Sequence, residues 1–252
     1  MADTPFDIKP ILFRSNLADV PTECTNGTLL KSHFAALVHA FKHAAVDAQH
    51  ELGVTGDFLA VASSLDEQFG ADATLPVVDI AEAADAALQS LAALDVRIDQ
   101  QSLAEQRQTL HRLAIGIGYW CMRHSLAITS PALIVNALAA QSNAAISRQE
   151  TAAIFALMQG FIAHFEPTLQ SDLERSNPER PWRILNLNFT ITAIRTGDAA
   201  MIRFAFDTLN RHLPDERAGF YAEAFTLSGQ PGFPADTRSL IEAEVSRWTQ
   251  VH

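Results

Sequence analysis

The sequence predicts an all-α protein of nine or ten antiparallel helices in helix-hairpin pairs, forming a bundle or a short α-superhelix. Apolar residues recur at spacings of three and four along most of the 252 residues. Capping residues, prolines and glycines interrupt this pattern at intervals of roughly fifteen residues. Apolar residues make up 48% of the chain and charged residues 19%, which is typical of a folded globular protein.

Residues 1–27 differ from the rest because they contain three prolines and show no helical period. The segment is nevertheless too apolar for a free tail, since it includes Phe6, Ile8, Ile11, Leu12 and Phe13. We therefore expect an extended N-terminal arm that lies on the domain or on a partner. Residues 28–252 are predicted to form a single helical domain, with a candidate internal boundary in the polar stretch near residues 171–181.

The first helix is predicted to begin at Thr28 and to continue as far as Gly53 and Gly56, which are typical of a helix end. A short helix over residues 58–69 follows it. The next helix begins near Asp79 and carries acidic residues in its first turns, where negative charge interacts favourably with the helix dipole.

Two capping boxes, each a serine followed three residues later by glutamate, predict the starts of two long helices. The first is Ser102 with Glu105. The second is Ser147 with Glu150, and its helix is predicted to end before Pro167.

Shorter signals mark the remaining boundaries. Ser130 is predicted to cap a helix that has proline at its first position. Gly197 followed by Asp198 indicates a helix end and then a new N-cap. Asp236 is predicted to open the last helix.

The stretch from Ile184 to Ile194 alternates apolar and polar residues, which is a strand pattern. We still predict a helix, because Pro181 suits a helix start and Gly197 suits a helix end. No second segment offers a partner strand.

The charge is unevenly distributed. The formal net charge of −11 argues against duplex nucleic acid as a partner, since such binding neutralises phosphates with Lys and Arg. Ten acids and no Lys or Arg fall between residues 43 and 96, whereas the later part is rich in arginine. Compositional drift is the favoured explanation, and the alternative is an acidic surface that attracts a basic partner or cations. The helices of this region are predicted to present one continuous negative face.

The sequence offers no secretory signal, no apolar run long enough for a membrane span and no disulfide framework, so we expect a cytoplasmic protein. It also contains no P-loop, no HExxH and no pair of Glu-x-x-His motifs. These absences lower the expectation of an enzyme without excluding one.

Four residues of HAFKHAAVDAQH are candidate metal ligands: His39, His43, Asp47 and His50. On one continuous helix they share one side, and His at i and i+4 is a spacing that can hold a divalent metal ion. However, this stripe lies almost opposite the apolar face of the same helix, so a solvated face is the favoured interpretation.

The segment GIGYWCMRH, from Gly116 to His124, is a second candidate. Two glycines within a helix cost roughly 1 kcal/mol each relative to alanine, which indicates close approach by another helix or a ligand. Cys121 and His124 are one turn apart, as a thiolate–imidazole pair requires. A tight helix crossing is favoured over catalysis, and the candidate ligand-binding residues are Tyr119, Trp120 and His124.

The segment PWRILNLNFT is a third candidate. If it is helical, a polar side with an aromatic residue at its start is suited to grip a peptide backbone or a small polar ligand. Equally, its asparagines can form hydrogen bonds with backbone groups of neighbouring helices or loops. The candidate residues are Trp182, Arg183, Asn186 and Thr190.

Taken together, these features favour a non-enzymatic helical interaction or adaptor protein that binds a protein partner and self-associates as a homodimer. No cofactor is expected. The alternative is an all-α enzyme that depends on a small ligand or a metal ion. It would use either the histidine stripe or the Gly116–His124 region.

Overall fold

The computed structural model describes residues 27–70, 73–75, 78–101, 103–169 and 180–249. Within these ranges the chain forms ten α-helices and one 3₁₀ turn at Ala104–Gln106, and no strand. The predicted all-α fold is confirmed. The helices are α1 Gly27–His43, α2 Gln49–Phe69, α3 Val78–Gln100, α4 Arg107–Arg123, α5 Ala132–Ala144, α6 Arg148–Leu169, α7 Pro181–Thr196, α8 Ala199–His212, α9 Arg217–Leu227 and α10 Ala235–Thr249.

The helices pack mainly as hairpins of chain neighbours, namely α2 with α3, α6 with α7, α7 with α8, and α9 with α10. Helix α1 is an exception, because it packs more extensively on α4 than on α2. Helix α4 also contacts α3 and α5, and α5 contacts α7, so the N-terminal and C-terminal hairpins share one core. Its largest fully buried side chains include Phe41, Leu91, Phe161 and Phe189.

The first helix is shorter than predicted. It ends at His43, and Gly53 and Gly56 lie inside α2 rather than at a helix end. The end is a Schellman motif, in which Val46 N–H donates to Phe41 O (3.1 Å) and Ala45 adopts a φ of 53°. The prediction was wrong because this left-handed position is occupied by alanine, so no glycine marks the boundary.

The stretch with strand-like alternation is helical, as predicted. Pro181 is the first residue of α7, and Gly197 follows its end with a φ of 68°. The alternation misleads because α7 buries polar residues as well as apolar ones. These side chains donate one turn back within the helix, Asn186 Nδ2 to Trp182 O (2.9 Å) and Thr190 Oγ1 to Asn186 O (2.9 Å).

The capping predictions have different outcomes. The Ser147 box is confirmed, since Glu150 N–H donates to Ser147 Oγ (3.1 Å), although α6 continues through Pro167 to Leu169. Asp198 caps α8 as predicted, by accepting from two backbone N–H groups. Ser102 lies outside the described residues.

The cap predicted at Ser130 is not made by that serine. The chain before α5 is instead held by Asp85 of α3, whose buried carboxylate accepts from the backbone N–H groups of Thr129 and Ser130 at 3.0 Å. The tertiary contact thus supplies the negative charge that the start of α5 favours.

The acidic region does not form one continuous negative face. Four of its acids bind partners inside the protein: Glu51 pairs with Arg97, Asp66 with Arg123, Asp95 with Arg107, and Asp85 accepts from the backbone just before α5. Five others are exposed, namely Asp47, Asp57, Glu67, Asp79 and Glu82.

Two predicted features fall outside the described residues. The N-terminal arm is one, except for Gly27, which begins α1. The other is most of the candidate boundary near 171–181, of which residues 180 and 181 alone are described. The division into an arm and a single domain therefore stays a prediction.

Candidate functional site

An open groove runs between α1 and α2. Its largest depression has a volume of about 910 Å³ and is walled by apolar residues of α1, including Phe34 and Val38. Its other side is the corner after α1 and the first turns of α2, with Gly53 and Gly56. Because α1 packs mainly against α4, it leaves much of the length of α2 uncovered.

Two further depressions continue the groove along α2. One, of about 380 Å³, lies beyond Phe34 and is lined by Ala60, Ser63 and Ser64 among others. The other is a small apolar pocket of about 60 Å³ that reaches Trp120 of α4. We call the three depressions together the α1–α2 groove.

Glycine and small side chains keep this groove open. At Gly53 a Cβ atom would have no neighbour within 4 Å, so the space above it is empty. At Gly56 a Cβ atom would lie 3.0 Å from the Phe34 ring, which shows how closely α1 approaches α2 at that one point. Phe34 lines the two larger depressions and divides them.

The groove has rims of opposite charge. Asp57 and Glu67 are exposed on the α2 side. Lys42 and Lys31 lie on the α1 side, and Lys31 donates to Ser63 Oγ (2.8 Å) across the groove. An apolar segment that carries charges of both signs therefore fits this surface.

The candidate metal-binding stripe, for which a solvated face was the favoured interpretation, does not lie on one helix. His39 and His43 are in α1, whereas Asp47 lies in the following turn and His50 belongs to α2. All four are exposed, and the rings of His39 and His43 are 6.3 Å apart between centroids. Within the described ranges no three His, Cys, Asp or Glu residues are placed to hold a metal ion. Asp47 lines the groove, but none of the three histidines does.

The two glycines of the second candidate have separate roles. A Cβ atom at Gly118 would lie 2.6 Å from Ile134 Cδ1 and 3.0 Å from the Phe161 ring, so this glycine permits the close crossing of α4 with α5 and α6. Gly116 lines the small pocket of the groove beside Trp120. The favoured helix crossing is therefore found at Gly118, whereas Gly116 lines an open pocket.

The predicted thiolate–imidazole pair is not formed. Cys121 is fully buried, and this burial raises the pKa of its thiol far above the usual range. A buried thiol with a raised pKa is a poor nucleophile. Both nitrogens of His124 are engaged elsewhere, Nε2 at 2.8 Å from Asp66 Oδ1 and Nδ1 at 2.5 Å from Ala73 O.

His124 belongs to a buried polar cluster centred on Asp66 of α2. The Asp66 carboxylate also accepts from Trp120 Nε1 (2.9 Å) and from the Arg123 guanidinium (3.1 Å). The Trp120 ring lies against the imidazole at 4.4 Å between centroids, and Arg123 lies over the Tyr119 ring at 5.5 Å. The three predicted ligand-binding residues are therefore brought together, and their polar contacts join α4 to α2.

The third candidate forms a similar cluster. Trp182, Asn186 and Thr190 are buried, and Asn186 Oδ1 is 2.9 Å from Nδ1 of His212. The His212 ring lies 4.8 Å from that of Trp182, and its Nε2 is 3.3 Å from Glu166 Oε1. Burial lowers the pKa of His212, although the Glu166 charge acts in the opposite direction.

Arg183 faces a different partner. Its Nε donates to Glu216 Oε2 at 2.5 Å, and Arg180 lies 3.6 Å from the other oxygen of the same carboxylate. Trp182 and Asn186 thus contact α8 through His212, and Arg183 contacts Glu216 before α9, whereas Thr190 donates within α7.

Several residues of these sites were missed in the sequence. Asp66, Glu166 and His212 are each distant in sequence from the residues they contact, so no local pattern indicates them. The groove itself had a signal, namely two glycines three apart. We interpreted them as a helix end instead of a helix surface without side chains.

The fold and the groove define an all-α protein of packed helical hairpins that has an open face at α1 and α2. Comparison with protein-family models, with curated proteins and with solved structures finds no match in any of the three. No helix in the described part of the chain combines the length and the apolar character that crossing a membrane requires.

Proposed function

We propose that the chain is a non-enzymatic helical interaction protein that binds an extended, apolar segment of a protein partner in the α1–α2 groove. The observation that carries this proposal is the open groove itself. It combines the half-buried side chains of Phe34 and Val38 on α1 with a stretch of α2 whose small side chains leave space. Grooves beside amphipathic helices are a recurring way to bind peptides.

The charge around the groove supports a partner segment that carries basic residues. Asp47 and Asp57 are exposed at the largest depression, and Glu67 at the second. The acids that pair within the protein do not contribute to this attraction. Partner charge is therefore expected to affect the association rate and its salt dependence more than the final affinity.

The alternative function, a small-ligand- or metal-dependent enzyme, receives less support. The thiol of Cys121 is buried and its pKa is raised, and both ring nitrogens of His124 are held by Asp66 and Ala73. The two clusters around tryptophan are tied into helix packing by the same hydrogen bonds that a ligand would need.

The test is selection of twelve-residue peptides from a random display library on the full chain. We expect enriched peptides to be apolar with Lys or Arg, and their affinity to fall by at least about tenfold in Gly53→Leu, which fills the groove. Gly219→Leu is the matched control. Gly219 is also exposed within a helix, and a Cβ atom there also has no neighbour within 4 Å.

Two results would overturn the proposal. One is that no peptide is enriched. The other is that the enriched peptides bind Gly53→Leu as tightly as they bind Gly219→Leu.

We also propose that the chain self-associates as a dimer through apolar helix faces. Large apolar side chains are exposed on several elements, including Ile191 of α7 and Ile146 of the α5–α6 turn. Light scattering at low and high salt tests this. A dimer that persists in high salt is expected, since burial of apolar surface is not screened by ions. A monomer at every concentration and both salts would contradict it.

A further inference from the structure

We infer that the chain's own N-terminal segment, residues 6–13, binds in the α1–α2 groove of the same molecule. This inference rests on the groove proposed above as the binding site. It names the segment that occupies the groove. A segment of a partner protein would have to displace residues 6–13, which are covalently connected to the groove.

The chemistry of the segment matches the groove. FDIKPILF contains five large apolar side chains, together with one acid and one lysine, and Arg14 follows directly. The groove offers apolar walls, an acidic rim on α2 and lysines on α1. Pro10 stands in the middle of the segment and disfavours a helix, so an extended form is expected.

The dimensions also match. The floor of the groove from Gly53 to Glu67 on α2 is about 21 Å long at 1.5 Å per residue. Eight residues in an extended polyproline-like form span about 22 Å at 3.1 Å per step. The segment therefore fills the groove from end to end.

The connection to α1 makes the contact intramolecular. Gly27 is the first residue of α1, and α1 is one wall of the groove. The thirteen residues 14–26 reach at most about 43 Å when extended, whereas α1 is about 25 Å long. A tether of this length gives an effective concentration on the order of 1 mM, enough to occupy a weak site in cis.

The test uses the full chain with Cys24→Ser, so that an introduced cysteine pair reacts alone beside the buried Cys121. Ile11→Cys is combined with Gly53→Cys, and intramolecular disulfide formation is followed in dilute protein. The control combines Ile11→Cys with His39→Cys. His39 is also exposed, on α1, but lines none of the three depressions.

Faster cross-linking to position 53 than to position 39, by at least about tenfold, is expected if the segment occupies the groove. Equal rates would overturn the inference. Cross-links that join two chains in a concentration-dependent way would also overturn it, because the occupant would then come from a second copy.

A second measurement separates this inference from the proposed function. The variant Ile11→Ser/Phe13→Ser weakens binding of the N-terminal segment in the groove. The affinity for a peptide selected on the groove should then rise about tenfold. This follows because the segment, at an effective concentration of about 1 mM and with a dissociation constant of about 100 μM, no longer competes with the peptide. Ile146→Ser, which removes an exposed isoleucine elsewhere, is the control and should leave the affinity unchanged.

If selected peptides bind but neither the cross-linking nor the affinity changes as expected, the inference falls and the proposed function stands. If no peptide binds any variant, the proposed function falls, and the cross-linking rates alone decide whether the segment occupies the groove.

Discussion

Two buried histidine clusters show how the same side chains are used differently in the two halves of the molecule. In each cluster a histidine at a helix end lies against a tryptophan, at 4.4 Å for His124 and 4.8 Å for His212. Each has a carboxylate near Nε2, Asp66 at 2.8 Å and Glu166 at 3.3 Å.

The clusters differ in how firmly that carboxylate is held. Asp66 is 30% exposed and accepts from three side chains, whereas Glu166 is 40% exposed and its Oε1 lies 3.3 Å from His212 Nε2. A carboxylate that serves several buried donors cannot be removed without leaving each donor unpaired. Two clusters of similar residues are therefore expected to contribute unequally to the free energy of unfolding.

The largest expected effect follows from removing Asp66. Asp66→Ala leaves Trp120 Nε1 and His124 Nε2 without their acceptor, so the free energy of unfolding should fall by about 3 kcal/mol. Urea denaturation measures it. Glu67→Ala, the exposed neighbour on α2, should change stability by less than about 0.5 kcal/mol. Equal losses in both variants would show that the Asp66 cluster does not hold α2 to α4.

The next expected effect is a dependence on pH that involves His212. Burial lowers its pKa, and Glu166 and the like charge of Arg211 act on it in opposite directions. The unfolded chain therefore binds a proton at a higher pH than the folded chain does. The stability is present above the ordinary histidine pKa of about 6.5 and is lost as the pH falls below it.

His212→Gln should therefore reduce the loss of stability between pH 7.5 and pH 5. It should not abolish that loss, because burial also lowers the pKa of His111 and His164. Urea midpoints at both pH values measure the change, and the exposed His39→Gln is the control. An unchanged pH dependence in His212→Gln would contradict the assignment.

A smaller effect is expected next to His124. Ser125 has a φ of 58° and completes a Schellman motif, in which Leu126 N–H donates to Cys121 O (2.9 Å). Glycine adopts this conformation without a steric cost, so Ser125→Gly should stabilise the protein by up to about 1 kcal/mol. Thermal unfolding measures it. A loss of stability would mean that the strain at this position is offset by contacts of the serine.

The smallest effect is expected for Glu166→Gln in the second cluster. Because this carboxylate is partly exposed and His212, whose pKa is lowered, is neutral at pH 7.5, the variant loses a hydrogen-bonding contact rather than an ion pair, and stability should fall by about 0.5 kcal/mol or less. The same urea assay as for Asp66→Ala gives the direct contrast. A loss as large as that for Asp66→Ala would remove the distinction between the two clusters.

Some local features were predicted correctly because their causes are local. Asp198 caps α8 through the backbone two and three residues ahead, and the Ser147 box spans three residues. Proline at the start of α7 and glycine after it fix the ends of that helix. In each case the stabilising contact lies within one turn, so the sequence contains both partners.

Predictions failed where a boundary or a contact depends on a distant element. The turn at Ala45 takes a left-handed conformation in a residue that does not favour it, and it follows Phe41, which is fully buried in the core. Asp85, from another helix, binds the backbone N–H groups of Thr129 and Ser130 just before α5, where a cap by Ser130 was predicted. The expected negative face fails for the same reason, since four of its acids have partners that packing brings to them.

The sequence by itself determined the helical fold, most helix ends and the candidate clusters around Trp120 and Trp182, because periodicity, caps and residue types are local properties. Only the tertiary structure decided which acids face solvent and which histidines are buried. It also decided that Gly53 and Gly56 line a groove and do not lie at the end of a helix. The groove is open because α1 packs more extensively against α4 than against α2, and that choice is set by the fit of whole helix surfaces.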